Sequence, residues 1–104
     1  MSALMEFAMF PTDKGESVSG YVSRILKVID RSGLPYQLTP MGTIVEADEP
    51  GALLELVAAA CRELEPDCGR VYATLKLDIR KGEGGRMKKK IESVERQAGK
   101  KLRT

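Results

Sequence analysis

Tyr36-Gln37-Leu38-Thr39-Pro40-Met41-Gly42-Thr43-Ile44-Val45-Glu46 lies near the middle of the 104-residue chain, and its reading decides the fold. Residues 35–47 read as two short strands joined by Pro40-Met41-Gly42. Proline and glycine supply the tight, partly left-handed geometry that such a turn needs. The register stays open at this stage. Sliding the turn by one residue exchanges Thr43 and Ile44 between the two sheet faces.

On either side of this hairpin the apolar spacing switches to three and four. Over 16–32, Val18, Tyr21, Val22, Ile25, Leu26 and Ile29 form one helical stripe, with Ser17 as the expected N-cap and Gly33 as the stop. Over 49–65, Leu53, Leu56, Val57, Ala60 and Leu64 form a second stripe, with Pro50 at the first helical position and Pro66 closing it. Strands flank both helices. Residues 3–10 alternate but are apolar on both sides, as a central strand covered on both faces would be. Residues 70–80 alternate cleanly: Val71, Ala73, Leu75, Leu77 and Ile79 against Tyr72, Thr74, Lys76, Asp78 and Arg80. Residues 82–85 are a glycine-rich hinge, and 86–98 form a third helix ending at Gly99.

The order is therefore β-α-β-β-α-β plus a C-terminal helix. That predicts an α/β (α+β) fold, a ferredoxin-like βαββαβ sandwich, as one domain over 1–104. Two helices cover one sheet face. Phe7, Phe10 or their neighbours point to the other, which the third helix or another subunit would cover. The last strand falls at a sheet edge, where pairing with its symmetry mate gives an isologous dimer.

Composition narrows the chemistry. The chain has no histidine, so the commonest general base near neutral pH is absent and no imidazole can activate a serine or cysteine. Cys61 and Cys68 are too few for a metal site, and none is expected. The first residues lack a basic start and a cleavage site, so the expectation is a cytoplasmic protein with reduced thiols. No apolar run approaches the roughly 20 residues of a membrane span.

Charge is uneven. Residues 1–69 carry five basic and eleven acidic groups; residues 70–104 carry twelve basic and four acidic. The balances, −6 and +8, restore the net +2 of the whole chain. A basic C-terminal third permits a nucleic-acid-binding module. It is disfavoured on sequence because the exposed strand offers one tyrosine, Tyr72, and no ribonucleoprotein-type glycine and aromatic pattern. The other alternative is a small-metabolite enzyme with Glu6 or Glu46 as base. Missing histidine and metal ligands argue against it. Gly82-Glu83-Gly84-Gly85-Arg86 lacks the Lys-Ser/Thr of a phosphate loop.

Two segments place polar groups among apolar ones. In Phe10-Pro11-Thr12-Asp13-Lys14-Gly15-Glu16-Ser17, Thr12 and Ser17 stand at a helix start as hydrogen-bond partners. Their plain reading is a capped loop. In the hairpin, Tyr36, Thr43 and Glu46 read either as ordinary sheet residues or as a ring and two oxygen-bearing groups around a ligand. Such a mixture suits a small, partly aromatic cation.

Glu6-Phe7-Ala8-Met9-Phe10-Pro11-Thr12-Asp13-Lys14-Gly15-Glu16-Ser17, Leu38-Thr39-Pro40-Met41-Gly42-Thr43, Arg70-Val71-Tyr72 and Glu92-Ser93-Val94-Glu95-Arg96 together resemble the YkoF-like group of small thiamine-binding proteins. The resemblance runs nearly end to end. It implies non-catalytic binding of thiamine or its hydroxymethylpyrimidine part, as a cytosolic carrier or sensor in thiamine salvage, with no further cofactor. It also implies a homo-oligomer, a dimer of dimers. For such a ligand, Tyr36 or Phe10 would stack on the pyrimidine ring. Glu6 or Glu46 would accept from its amine, and Thr12, Ser17 and Thr43 would complete the hydrogen bonds.

Overall fold

A computed structural model describes residues 1–104. The elements are β1 (Ser2–Pro11), α1 (Ser19–Arg31), β2 (Tyr36–Thr39), β3 (Gly42–Ala47), α2 (Pro50–Leu64), β4 (Val71–Arg80) and α3 (Arg86–Ala98). The sheet order is β2-β3-β1-β4, antiparallel throughout. This is the ferredoxin-like α+β arrangement, with α3 added.

β1 is central, which accounts for its apolar residues on both sides. Ala3, Met5, Phe7 and Met9 point toward the helices and pack with Ile25 and Ile29 of α1 and Leu53, Leu56, Ala60 and Leu64 of α2. Leu4, Glu6, Ala8 and Phe10 alternate to the opposite, open face. Phe7 is thus a core residue, and only Phe10 of the two phenylalanines reaches the open face.

The pairing of β1 with β3 settles the hairpin register. Thr43 stands opposite Phe7, and Ile44 opposite Glu6. Thr43 therefore faces the helices and Ile44 the open side. The turn is Pro40-Met41, and β3 begins at Gly42. A Cβ at position 42 would come within 3.0 Å of the Phe7 carbonyl oxygen, so the close approach of the two strands depends on glycine there.

α1 starts later than the sequence suggests. Val18, not Ser17, occupies the N-cap position, and no side chain caps the helix. The Val18 carbonyl accepts from the N–H groups of Tyr21 and Val22, both at 3.0 Å. Arg24 fastens α1 to the end of α2, its Nη1 donating to Asp67 Oδ2 at 2.9 Å and its Nη2 to the Glu63 carbonyl at 2.7 Å.

β4 lies at the sheet edge. The helices cover it only in part: Val71 and Leu77 pack against the core, while Leu75 and Ile79 remain exposed. The connector after β4 turns α3 back so that its first turn rests on one end of the open face. No helix is long and apolar enough to cross a membrane.

Candidate ligand-binding site

β1 is longer than the strand beside it. It pairs with β4 from Ser2 to Pro11 but with β3 only from Ala3 to Phe7. Beyond Phe7 the hairpin turns away, and the β3-side edge of Ala8–Phe10 has no strand partner. A cavity of about 260 Å³ opens at this point, between the end of β1, the start of α1 and the hairpin tip. Phe7, Val18, Val22, Leu26 and Met41 supply apolar surface, and Thr39 and Thr43 supply hydroxyls.

The two hydroxyls differ. Thr39 Oγ1 donates to the Gly42 carbonyl at 2.8 Å and accepts from the Met41 N–H at 3.3 Å. Thr43 is 3 % exposed, yet its hydroxyl takes no part in the internal hydrogen bonds, and no sealed side-chain polar atom is left unpartnered. The Thr43 hydroxyl is therefore open to the cavity. None of the fourteen lining residues is ionisable.

Of the seven candidate site residues, Phe10 and Thr43 line this cavity. The others lie elsewhere. Tyr36 sits on the helix side of β2, and its hydroxyl donates to Asp30 Oδ1 at 2.8 Å. That bond raises the phenol pKa above its ordinary value. Glu46 is on the open face, 7 % exposed, and accepts from the backbone N–H groups of Arg86 and Met87. Glu6 is on the open face, paired to Lys76 at 3.1 Å. Thr12 and Ser17 are exposed in the β1–α1 loop, where the Thr12 N–H donates to the Arg70 carbonyl at 2.9 Å. Asp13 pins the same loop by accepting from the Gly69 N–H at 2.7 Å, which lowers the Asp13 pKa.

The cavity thus brings together parts of two of the four segments that carry the sequence resemblance, Phe7–Phe10 and Leu38–Thr43, with Val18, Val22, Ile25 and Leu26 from the start of α1. Residues 5–95 match the family described as thiamine-binding protein. The chain belongs to that family. UPF0045 protein Mb1933 of Mycobacterium bovis is 34 % identical over 96 residues, which span 92 % of this chain and 94 % of the relative. The crystal structure of protein MJ1052 from Methanocaldococcus jannaschii superposes with a TM-score of 0.81 at 28 % identity, covering 89 % of this chain and 95 % of that one. Protein TM0486 of Thermotoga maritima, provisionally assigned to thiamine biosynthesis or salvage, superposes with a TM-score of 0.78 at 20 % identity, covering 90 % of this chain and 99 % of that one. This last likeness speaks to the fold.

This member of the thiamine-binding family has a second hollow, about 350 Å³, beneath α3 on the open face. Leu4, Ile44, Leu77, Met87 and Ile91 give it an apolar floor and wall. Its acids are already committed: Glu6 to Lys76 at 3.1 Å, and Asp78 to Lys90 at 2.8 Å and Arg86 at 3.0 Å. The Lys90 and Arg86 bonds hold the Asp78 carboxyl below its ordinary pKa. A cationic ligand entering here would displace internal ion pairs. Burial pushes the Cys68 pKa up, so nothing activates this thiol.

Sequence reasoning missed Val18, Val22, Leu26 and Met41 as cavity residues, because helical spacing assigns such residues to core. It also missed the free edge of β1, which follows only from the unequal lengths of paired strands.

Proposed function

We propose that this chain binds thiamine or its hydroxymethylpyrimidine part, without altering it, in the cavity at the end of β1. One observation carries the reading. Two of the four segments that resemble the thiamine-binding family meet at a single cavity. That cavity offers apolar surface for a flat ring, one unpartnered hydroxyl at Thr43 and an unpaired strand edge. An aminopyrimidine presents an amine donor beside a ring-nitrogen acceptor. A free strand edge presents a carbonyl beside an N–H, which is the matching pattern.

Size favours the pyrimidine half as the enclosed part. A hollow of about 260 Å³ lies just under the ~300–1,000 Å³ of pockets that enclose drug-sized ligands. The thiazolium then lies outside the enclosed part, at the mouth. Without an ionisable lining group the cavity holds no general acid or base, which favours binding over catalysis. The role is that of a cytosolic carrier or sensor, in a homo-oligomer assembled as a dimer of dimers.

Calorimetric titration with thiamine and with free hydroxymethylpyrimidine tests this. Saturable binding of both, with a matching rise in melting temperature, is the expected result. A flat response to both at millimolar concentration overturns it.

A further inference from the structure

We propose that the open-face side of β4 is a binding track for single-stranded nucleic acid. Phe10 and Tyr72 stand opposite each other on β1 and β4. Their rings are 6.0 Å apart and tilted by 39°. They are 39 % and 51 % exposed, and α3 does not reach them. The sequence showed one tyrosine on an edge strand. The fold adds a second ring from the central strand and makes an aromatic platform.

From Tyr72 the same face continues through Thr74, Lys76, Asp78 and Arg80, roughly 26 Å along the strand at ~3.3 Å per residue. Asp78 is the sole acid in this row, and Arg86 at 3.0 Å and Lys90 at 2.8 Å already neutralise it. The row ends at a hollow of about 450 Å³ with no hydrophobic lining, where Arg80, Lys81, Lys89 and Ser93 converge. Lys89 is held only by the exposed Glu83 at 3.5 Å.

Rings at one end and cations at the other fit a partner with both flat faces and a charged backbone. Single-stranded nucleic acid has both. A duplex hides its base faces, and an acidic peptide has no use for a paired aromatic platform. The balance of +8 over residues 70–104 supplies the sequence-independent attraction.

The test is fluorescence anisotropy of labelled twelve-nucleotide oligouridine and oligothymidine with the intact protein, over a series of salt concentrations. The expected result is saturable binding whose log–log salt slope falls by about 0.7 for each phosphate contact. Tyr72→Ala should weaken binding about tenfold or more, and Tyr72→Phe should leave it near wild type. Lys81→Glu with Lys89→Glu should weaken it further and flatten the salt slope. Tyr72 does not line the proposed vitamin cavity and touches it only through Phe10, so Tyr72→Ala should weaken thiamine binding far less than oligonucleotide binding. No saturable binding up to about 100 µM overturns the proposal, since that is the weak end of ordinary non-specific binding. So does binding that ignores Tyr72→Ala, or a Tyr72→Ala variant that changes only the oligomeric mass, which would assign the platform to a second copy of the chain.

Discussion

The Glu46 carboxylate and the Arg86 backbone lock α3 to the sheet. Glu46 Oε2 accepts from the Arg86 N–H at 2.9 Å, and Glu46 Oε1 accepts from the Met87 N–H at 3.1 Å. A carboxylate at a helix N-terminus meets both the free N–H groups and the positive end of the dipole. Arg86 completes the lock from its own side chain. Its Nε donates to Ser2 Oγ at 2.8 Å, and its Nη2 to the Asp78 carbonyl at 2.6 Å. Glu46→Ala should lower stability by about 1–3 kcal/mol, because it leaves buried donors without a partner. Urea denaturation measures the loss. Hydrogen exchange should quicken in the first turn of α3 while the β1 amides stay protected. Unchanged exchange in α3 would show that Glu46 does not hold it.

Thr43 is the side chain on which the proposed site can be tested with least disturbance to the fold. Its hydroxyl is open to the cavity, whereas that of Thr39 is already bonded to the Gly42 carbonyl at 2.8 Å. Thr43→Val keeps the shape and removes the oxygen. A net hydrogen bond is worth about 0.5–1.5 kcal/mol, so thiamine affinity should fall roughly two- to tenfold. Thr39→Val should instead loosen the hairpin turn. Equal thiamine affinity in wild type and Thr43→Val, at unchanged melting temperature, would remove the hydroxyl from the site.

The element order could be read because each element carries its own period. β1 and β4 alternate, and α1 and α2 show stripes that end at Gly33 and Pro66. Position within the sheet was legible too, since β1 is apolar on both sides. What could not be read depends on distant pairing. Thr43 and Ile44 fit either register, and their opposition to Phe7 and Glu6 on β1 decides between them. Glu46 looked available because its partners arrive forty residues later, when α3 folds back. Tyr36 looked like a ring for stacking because its bond to Asp30 requires α1 and β2 to meet. Ser17 failed as a cap because the helix begins two residues beyond it. Of the seven expected site residues, the two at the cavity belong to the motif segments at the end of β1 and the hairpin tip.

Acid should destabilise the protein at a definite point. Asp13, Asp67 and Asp78 all have pKa values below the ordinary carboxylate range, through bonds from the Gly69 N–H, from Arg24 and from Lys90 and Arg86 respectively. A carboxyl whose folded pKa is depressed stabilises the fold above its unfolded value, and that contribution is lost as pH falls through the folded value. The urea midpoint should therefore be level from neutral pH to about pH 5 and fall below about pH 4. Added salt should reduce the drop, because the Arg24–Asp67 and Lys90–Asp78 pairs are solvent-exposed and screened. A midpoint that falls between pH 7 and 5 would point to another group.

The exposed edge of β4 should decide the oligomeric state. β4 is ten residues long and pairs on one side only, so its outer edge presents a row of free N–H and C=O groups, and Leu75 and Ile79 stand exposed beside it. Antiparallel pairing of two copies about a two-fold axis at Leu77 sets Leu75 opposite Ile79 of the mate. It also sets Lys76 opposite Asp78. Both contacts then occur twice, as isologous symmetry requires. Leu75→Arg places a cation against Ile79 at both positions without touching the buried core. Sedimentation should show the wild type as a dimer or larger and Leu75→Arg as a monomer with an unchanged circular dichroism spectrum. If the wild type sediments as a monomer at micromolar concentration, β4 is a solvent edge and the proposed assembly fails.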